Sequence, residues 1–467
     1  MKLNVSKNAN VNYLAKVVEI TDFAKHINPE VERLKVAHVD GYSILVGIDE
    51  KPGKFVYFPT SCCINPQFLS YANLYRRGEL NANPEKTGLF EDNGRVKAVK
   101  LKGQVSEGFL LPISTLVDFV VSSTNVKFTD DDCKVGTEFN EVEHNGKSFW
   151  INKKYIVQRQ NGGGSGDGST RNDRKRKKGL KKFNRVIDEQ FRFHYSTVIY
   201  KKEPMFIQPG DLIHISDKWH GTSAIFAHVL CKHPLTWKEK VAKWLTGEEF
   251  NKYDYLYASR SVIKNANINP GAKERGFYGA DGDVWFEAFK VIKPYLIKGM
   301  TIYAEIVGYL PNGKMIQKNY DYGCECPKPT ESYTYGKHYK IMVYRITMTN
   351  VDGIVHEFSA REVHQWCENN GLVPVIERYY GYAADLYPDL VVDDNWCENF
   401  IERLANDERF YMEKNSPDCV NKVPHEGIVI KKEDMIPHAV KLKTFAFLGK
   451  VEQPELDAGI ENIEDLA

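Results

Sequence analysis

The sequence predicts an α+β protein in two unlike parts, and three observations carry that reading. Residues 13 to about 157 hold short alternating or apolar runs between glycine-bearing turns, the pattern of a β-rich module. From Phe183 onward, runs with helical spacing alternate with apolar strand-like runs, a mixed α/β pattern. Between the two, NGGGSGDGST at 161–170 has the composition of a flexible linker.

Composition narrows the classes. With 467 residues the chain can build two or three cored domains, and 42% apolar with 27% charged residues is ordinary for a globular protein in water. No apolar run approaches the ~18 residues a membrane span needs, and the N-terminus lacks an apolar signal region, so no membrane association is expected. Nine cysteines, an odd number, point to reduced thiols in a cytoplasmic compartment, with the nucleus as the alternative. Cys324 and Cys326 form a C-x-C pair with no second pair at zinc-ligand spacing, so they read as loop or strand thiols.

In the front module, Ala15 to Ile20, Ser43 to Ile48, Lys54 to Phe58, Val96 to Leu101 and Phe109 to Ile113 read as strands. Asp40-Gly41, Pro52-Gly53 and Asn93-Gly94 supply the turns. Several strands and few helices in that length predict a small barrel or sandwich, an OB-like barrel among them. Basic and apolar residues alternate through Arg95, Lys97, Lys100 and Lys102; such a strand either lines a phosphate backbone or is a plain solvated face. The linker mimics a phosphate loop, with Gly163 and Gly168 ahead of Ser169-Thr170. It lacks the lysine and the leading strand, which excludes that reading. Residues 171–182 then set eight cations against one acid. They suit a solvated linker, a nuclear-localisation patch or a phosphate clamp equally.

In the second part, TWKEKVAKWLTGEE at 236–249 puts Trp237, Val241, Trp244 and Leu245 at helical spacing, which assigns the tryptophans to the core. Ser359 to Asn370 opens on a Ser-x-x-Glu capping box and closes at Gly371, and a further helix is expected from Asn395 to Glu408. The acidic stretch 451–467 reads as a helix end or a mobile tail.

Four segments carry chemistry. In DLIHISDKWHGTSAIF, at 211–226, an apolar strand delivers Lys218 into a turn tightened by Gly221; an amine desolvated beside other cations becomes a nucleophile. In TIYAEIVGYL, at 301–310, Glu305 is the only charge among apolar residues on both faces. Its burial costs several kcal/mol unless it is paired or hydrogen-bonded. HEGIVIKK, at 425–432, puts Glu426 at the mouth of an apolar strand. AVKLKT, at 439–444, alternates, so Lys441 and Lys443 share one face and Val440 and Leu442 the other. A nucleophilic lysine, two lone carboxylates and a lysine pair suit phosphoryl transfer: cations for phosphates, carboxylates for a divalent metal, an amine to attack the α-phosphorus.

The ordered set resembles the covalent nucleotidyltransferases, that is, ATP-dependent polynucleotide ligases and mRNA-capping guanylyltransferases. Lys218-Trp219-His220-Gly221 resembles their K-x-x-G nucleophile motif in a K-x-H-G form, with Thr222 following it in the nucleotide site. Ser259-Arg260-Ser261 resembles the next motif, whose arginine contacts nucleotide and phosphate. Glu305 falls where a ribose- or metal-assisting glutamate lies, and Tyr344 where an aromatic ring stacks on the purine. Glu426 matches the metal-associated glutamate, and Lys441 and Lys443 the closing K-x-K. The resemblance covers roughly residues 183 to 450.

The resemblance implies a nucleotidyltransferase domain at 183–467, an ATP-grasp-like ligase adenylylation fold of antiparallel sheets with flanking helices. It follows an OB-like domain at 1–158 and a linker at 159–182. Only 24 residues follow Lys443, too few for the barrel that DNA ligases and capping enzymes carry there. The order instead resembles the RNA-ligase branch, which seals 3′-OH/5′-phosphate nicks in RNA-containing duplexes. What is implied is an ATP-dependent RNA ligase, a monomer using Mg²⁺ or Mn²⁺ on an RNA or RNA/DNA nicked duplex. Lys218 would carry AMP; Gly221, Thr222, Arg260, Glu305, Tyr344, Lys441 and Lys443 would bind the nucleotide; Glu426 and Glu305 would bind the metal. The alternatives are a GTP-dependent guanylyltransferase and an RNA-binding protein without turnover on the same scaffold.

Overall fold

The computed structural model describes residues 1–7, 9–156, 186–195, 197–232, 235–247, 250–264, 283–434 and 438–457. The glycine linker and the basic run at 171–182 lie outside these residues.

In the N-terminal part the expected strands form within a residue or two. Ala15–Ile20 pairs with Gly53–Phe58, which pairs with Phe109–Pro112; Glu138–Phe139 flanks the other side and completes a four-stranded sheet. Alternation sends Val17, Val56, Phe58 and Leu111 to one core with the helices Pro66–Tyr71 and Ile113–Thr124. Val18, Ile20, Phe55, Tyr57 and Leu110 face the other way, against Ala37, Val39, Ile44 and Val46 of a three-stranded sheet. Both faces of the central sheet are therefore covered, and the sheets formed by the described residues are open: the closed barrel is not formed among them.

The second part is built on two further sheets. One has five strands in the order Val198–Ile199, His438–Lys443, Gly427–Lys432, Leu212–Asp217, Glu377–Tyr382. It is antiparallel except where Val198 and Ile199 run parallel to Val440 and Lys441. Ile213, Ile215, Ile428, Ile430, Val440 and Leu442 turn to a core shared with the helix Trp396–Ala405. Each contributes roughly 1.5–3 kcal/mol by leaving water.

The other sheet runs Asn251–Ser259, Thr222–Lys232, Met300–Gly308, Tyr339–Thr349, Val355–Glu357, with Val373–Pro374 also pairing to the long strand Tyr339–Thr349. Its core takes in the helices Val284–Ile292 and Ala360–Asn369. Leu212–Asp217 ends in the first sheet and Thr222–Lys232 begins in the second. Residues 218–221 are thus the chain's step from one sheet to the other.

The helix Trp237–Thr246 forms, with Thr236 and Glu239 closing a capping box, but the core assignment of its tryptophans is overturned. Trp237 and Trp244 are 72% and 83% exposed, and Val241 and Leu245 are exposed too. The helical period was legible; which way the stripe faces depends on what packs on it. The helix Ala360–Asn369 has the expected box of Ser359 and Glu362. All nine cysteines are unbridged, with Cys324 buried and Cys326 exposed.

The described C-terminal residues run as far as 457. Leu448–Glu452 and Gln453–Asp457 are helical and bridge the two parts. Glu452 takes Lys443 Nζ at 2.5 Å and the Ser61 hydroxyl at 3.3 Å. Gln453 donates to the Ala98 carbonyl, and Asp457 pairs with Arg95 and Lys97. The Arg95 side chain is fully buried there, so Arg95 and Lys97 bind this segment and are removed from the candidate phosphate-facing stripe. Lys100 and Lys102 remain exposed. A second joint lies at Asn12, whose amide group bonds Thr197 and Ile199, and at Gly41, whose N–H donates to Lys201. No helix among the described residues is long and apolar enough to cross a membrane.

Candidate active site

Lys218 leaves the end of its strand with its N–H bonded to the Gly427 carbonyl at 2.9 Å. That bond sets the two turns side by side and brings the Lys218 amine 2.7 Å from Glu426 Oε1. Lys443 Nζ stands 3.6 Å from the same oxygen. Glu426 is buried, and both lysines are mostly so. A buried carboxylate needs such partners. Gly427 permits the approach: its φ is +134°, and a Cβ there would lie 2.1 Å from the Leu442 carbonyl oxygen.

Lys441 and Lys443 lie on the face expected, with Val440 and Leu442 on the buried one. Their mutual repulsion is relieved here by carboxylates of the chain itself, Glu426 and Glu452. Burial works to raise the Glu452 carboxyl, but Lys443, which it bonds, outweighs that and holds it below the usual glutamate value.

Glu305 stands on a strand buried along its whole length and accepts the Gly221 N–H at 3.1 Å. A solvent-facing Glu305 is thereby excluded. Gln317 donates to the Gly221 carbonyl at 2.6 Å, and a Cβ on Gly221 would lie 2.4 Å from the Ile306 oxygen. Glycine at this position is therefore a steric requirement. Tyr344, on the next strand, is raised in pKa by burial first and by Glu305 second, while Arg260 acts on it in the opposite sense. Glu305, Arg260 and Tyr344 are thus electrostatic neighbours. The Thr222 side chain is fully buried, its hydroxyl has no hydrogen-bond partner, and its backbone pairs with Ile306.

The turn between the sheets is clamped by aromatic rings. Trp219 stacks on Tyr322 at 4.7 Å; the Tyr322 hydroxyl bonds both the N–H and the carbonyl of His220. His220 is wedged between Tyr320 and Phe447, with Nδ1 3.6 Å from Glu426 Oε2.

Behind Lys218 lies a network that reading the sequence did not find. Asp217 receives Arg378 Nε at 2.7 Å and has His425 Nε2 at 3.3 Å; Arg378 reaches on to Asp418 at 3.5 Å. Burial works to raise Asp217, but His425 and Arg378 overcome it and hold the carboxyl below its usual range. Burial, with Asp217 adding, pushes Asp418 up to about 6. Asp217 precedes the nucleophile candidate and His425 precedes Glu426, so one buried contact registers both turns. Their adjacency to the two motif residues was the one available signal; Arg378 and Asp418 gave none.

No protein-family model and no curated protein matches the chain. Solved structures do, and they define the class of fold as that of the RNA ligases. Three are forms of RNA ligase from Naegleria gruberi, each with a TM-score of 0.50. One with pyrophosphate is 14% identical and matches 95% of this chain and 100% of its own. A lysine-to-methionine mutant with AMP and Mn is 14% identical over 94% of this chain and 99% of its own. An aspartate-to-alanine mutant without ligand is 13% identical over 95% and 99%. At this identity the likeness is one of fold, and it extends over both parts of the molecule.

Proposed function

We propose that the protein is an ATP-dependent RNA ligase that joins 3′-OH and 5′-phosphate ends through a lysyl-AMP intermediate on Lys218. The carrying observation is the Lys218–Glu426–Lys443 cluster: a motif lysine at a strand end, 2.7 Å from a buried carboxylate that a second motif lysine also contacts. The RNA-ligase fold and the bound AMP, pyrophosphate and Mn named for the solved relatives support it.

In the proposed reaction the neutral Lys218 nitrogen attacks the α-phosphorus of ATP, the bond to the bridging oxygen breaks, and pyrophosphate leaves. Bond formation leaves the nitrogen cationic with two protons, and one of them passes to solvent as the phosphoramidate forms. A 5′-phosphate oxygen on the nucleic acid then displaces Lys218 and takes the AMP. Last, a 3′-OH attacks that phosphate and releases AMP, closing the phosphodiester. Lys441, Lys443 and Arg260 would neutralise phosphate charge, Tyr344 would stack on the base, and Gly221 and Thr222 would floor the nucleotide site. Glu426 and Glu305 offer hard carboxylate oxygens, a donor set that suits Mg²⁺ or Mn²⁺. When bound, such an ion withdraws charge from the phosphate oxygens. Lys218 must give up both its proton and its ion pair with Glu426 before it can attack.

Residues 1–158 would form an OB-like module that holds nucleic acid, 159–182 a linker, and 183–467 the adenylylation domain. The substrate would be a nick in an RNA-containing duplex and the enzyme a monomer.

The test is transfer of label from α-labelled ATP to the protein, followed by sealing of nicked duplexes that vary RNA and DNA on each side. ATP labelling that is lost in Lys218→Ala, with sealing of RNA-containing nicks, is the expected result. Labelling by GTP alone would make it a guanylyltransferase. An intact chain that takes no label would make it an RNA-binding protein on the same scaffold.

A further inference from the structure

We propose that His214, His364 and Glu377 form a transition-metal site of the Zn²⁺ class, separate from the carboxylates of the candidate active site. His214 lies on Leu212–Asp217, the strand that delivers Lys218, and is 5% exposed. Glu377 opens the adjacent strand, where a bulge between Ile215 and Ser216 shifts the register. His364 comes from the helix Ala360–Asn369. One ligand atom from each residue lies within 4.8 Å of the other two.

What singles out this cluster is what its atoms lack. His214 Nε2, His364 Nε2 and Glu377 Oε2 are all buried, and none has a hydrogen-bond partner. Leaving such atoms buried and unpartnered is unfavourable, and one cation would satisfy all three. The His214 Nε2 to Glu377 Oε2 distance is 3.6 Å, too long for a hydrogen bond. It is close to the edge of a tetrahedron with bonds of ~2.0–2.1 Å, roughly 3.3 Å. The two imidazoles meet edge to face at 5.9 Å, which leaves their nitrogens free to converge. Two imidazoles and one carboxylate are a zinc donor set, with the fourth position for water.

Two cations stand nearby, and each is engaged by other groups. Arg361 engages the other carboxylate oxygen, Glu377 Oε1, at 3.2 Å, so Oε2 stays available. Lys431, in register with His214, is held by the Phe358 carbonyl and lies near Glu357 and Glu433. The comparable trio of Asp217, Asp418 and His425 differs, because Arg378 already stands among its carboxylates as their cation. A metal at His214 would cross-link the helix Ala360–Asn369 to the strand four residues before Lys218.

The experiment uses the full chain, free of any histidine tag. Metal content is measured after equilibration with Zn²⁺ and dialysis, affinity by competition with a chromophoric chelator, and geometry from the visible absorption of the Co²⁺-loaded protein. One equivalent per chain is expected, with tetrahedral Co²⁺ bands. His364→Ala, on the more open helix, should bind at least ~10-fold more weakly, since even outer-shell partners are worth 10–100-fold. Glu426→Gln should keep both the stoichiometry and the bands. Equal binding by the wild type and His364→Ala, or none by the wild type, would overturn the proposal. Loss of the bands in Glu426→Gln would place the ion in the active site instead.

Discussion

On the two sides of residues 218–221, buried charge is held in two different ways. The five-stranded sheet gathers its charges at strand ends and cancels them against one another: Lys218, Glu426, Lys443 and Glu452 in front, Asp217, Arg378, Asp418 and His425 behind. Across that step, Glu305 stands in the middle of an apolar strand and accepts a backbone N–H, that of Gly221. The first arrangement can exchange partners when a polyanion arrives, because each group has several. The second ties a side chain to the backbone of Gly221, and so fixes a position. A site that moves charge needs both, a redistributable cluster and an immovable wall.

The sharpest way to break this contrast is at the redistributable end. Lys218→Ala should abolish adduct formation with α-labelled ATP, by ~10³-fold or more, with unchanged circular dichroism; a persistent adduct would remove Lys218 from the chemistry. Gly221→Ala attacks the joint between the sheets. Its methyl would meet the Ile306 oxygen, and it should lower stability by about 1–3 kcal/mol in denaturant unfolding and labelling by ~10²-fold. Wild-type behaviour would show that the two sheets are not in fixed contact there.

Glu305 separates position from charge. Glu305→Gln keeps an acceptor for the Gly221 N–H and should change stability by less than ~1 kcal/mol, whereas Glu305→Leu leaves that donor unsatisfied and should cost about 1–3 kcal/mol. Equal unfolding midpoints for the two variants would mean the bond fixes nothing.

Asp418 gives a pH signature. Its folded value of about 6 lies above the ordinary carboxyl value of 3.8, so the folded state holds the extra proton in that window. Stability from this group is full below 3.8 and falls as pH rises through about 6. Asp418→Asn should flatten the melting temperature between pH 4 and 6.5, and an unaltered profile would assign the proton elsewhere. The smallest effect is expected from Glu452→Gln, which removes a competing anion from Lys443 and should tighten pyrophosphate binding a few-fold by calorimetry. Weaker binding would mean that Glu452 positions Lys443 for phosphate.

What could be read in the sequence follows the same division. The strands at 15–20, 212–217 and 300–308, and the lone carboxylates Glu305 and Glu426, were legible because alternation and isolated charges are local signals; the ion pair between Lys218 and Glu426 was not. Arg378, Asp418 and Glu452 were not, since their roles arise from a crossing of strands that no spacing encodes. His214, His364 and Glu377 come from three separate elements and show no motif either. The helix at 237–246 is the reverse case: its period was plain, yet its tryptophans face outward because burial is settled by neighbours. Arg95 and Lys97 likewise read as a phosphate stripe or a solvated face, and Asp457 takes them for neither.

That last contact has a consequence for how the molecule is made. Glu452, Gln453 and Asp457 are among the last described residues to leave a ribosome, and they hold Ser61, Ala98 and Arg95, which emerge more than 350 residues earlier. Pairings of such sequence separation form late and slowly. During synthesis, then, the β-rich part can fold on its own cores while Arg95 stays unlatched. The latch between the two parts would close only once residues 452–457 have emerged.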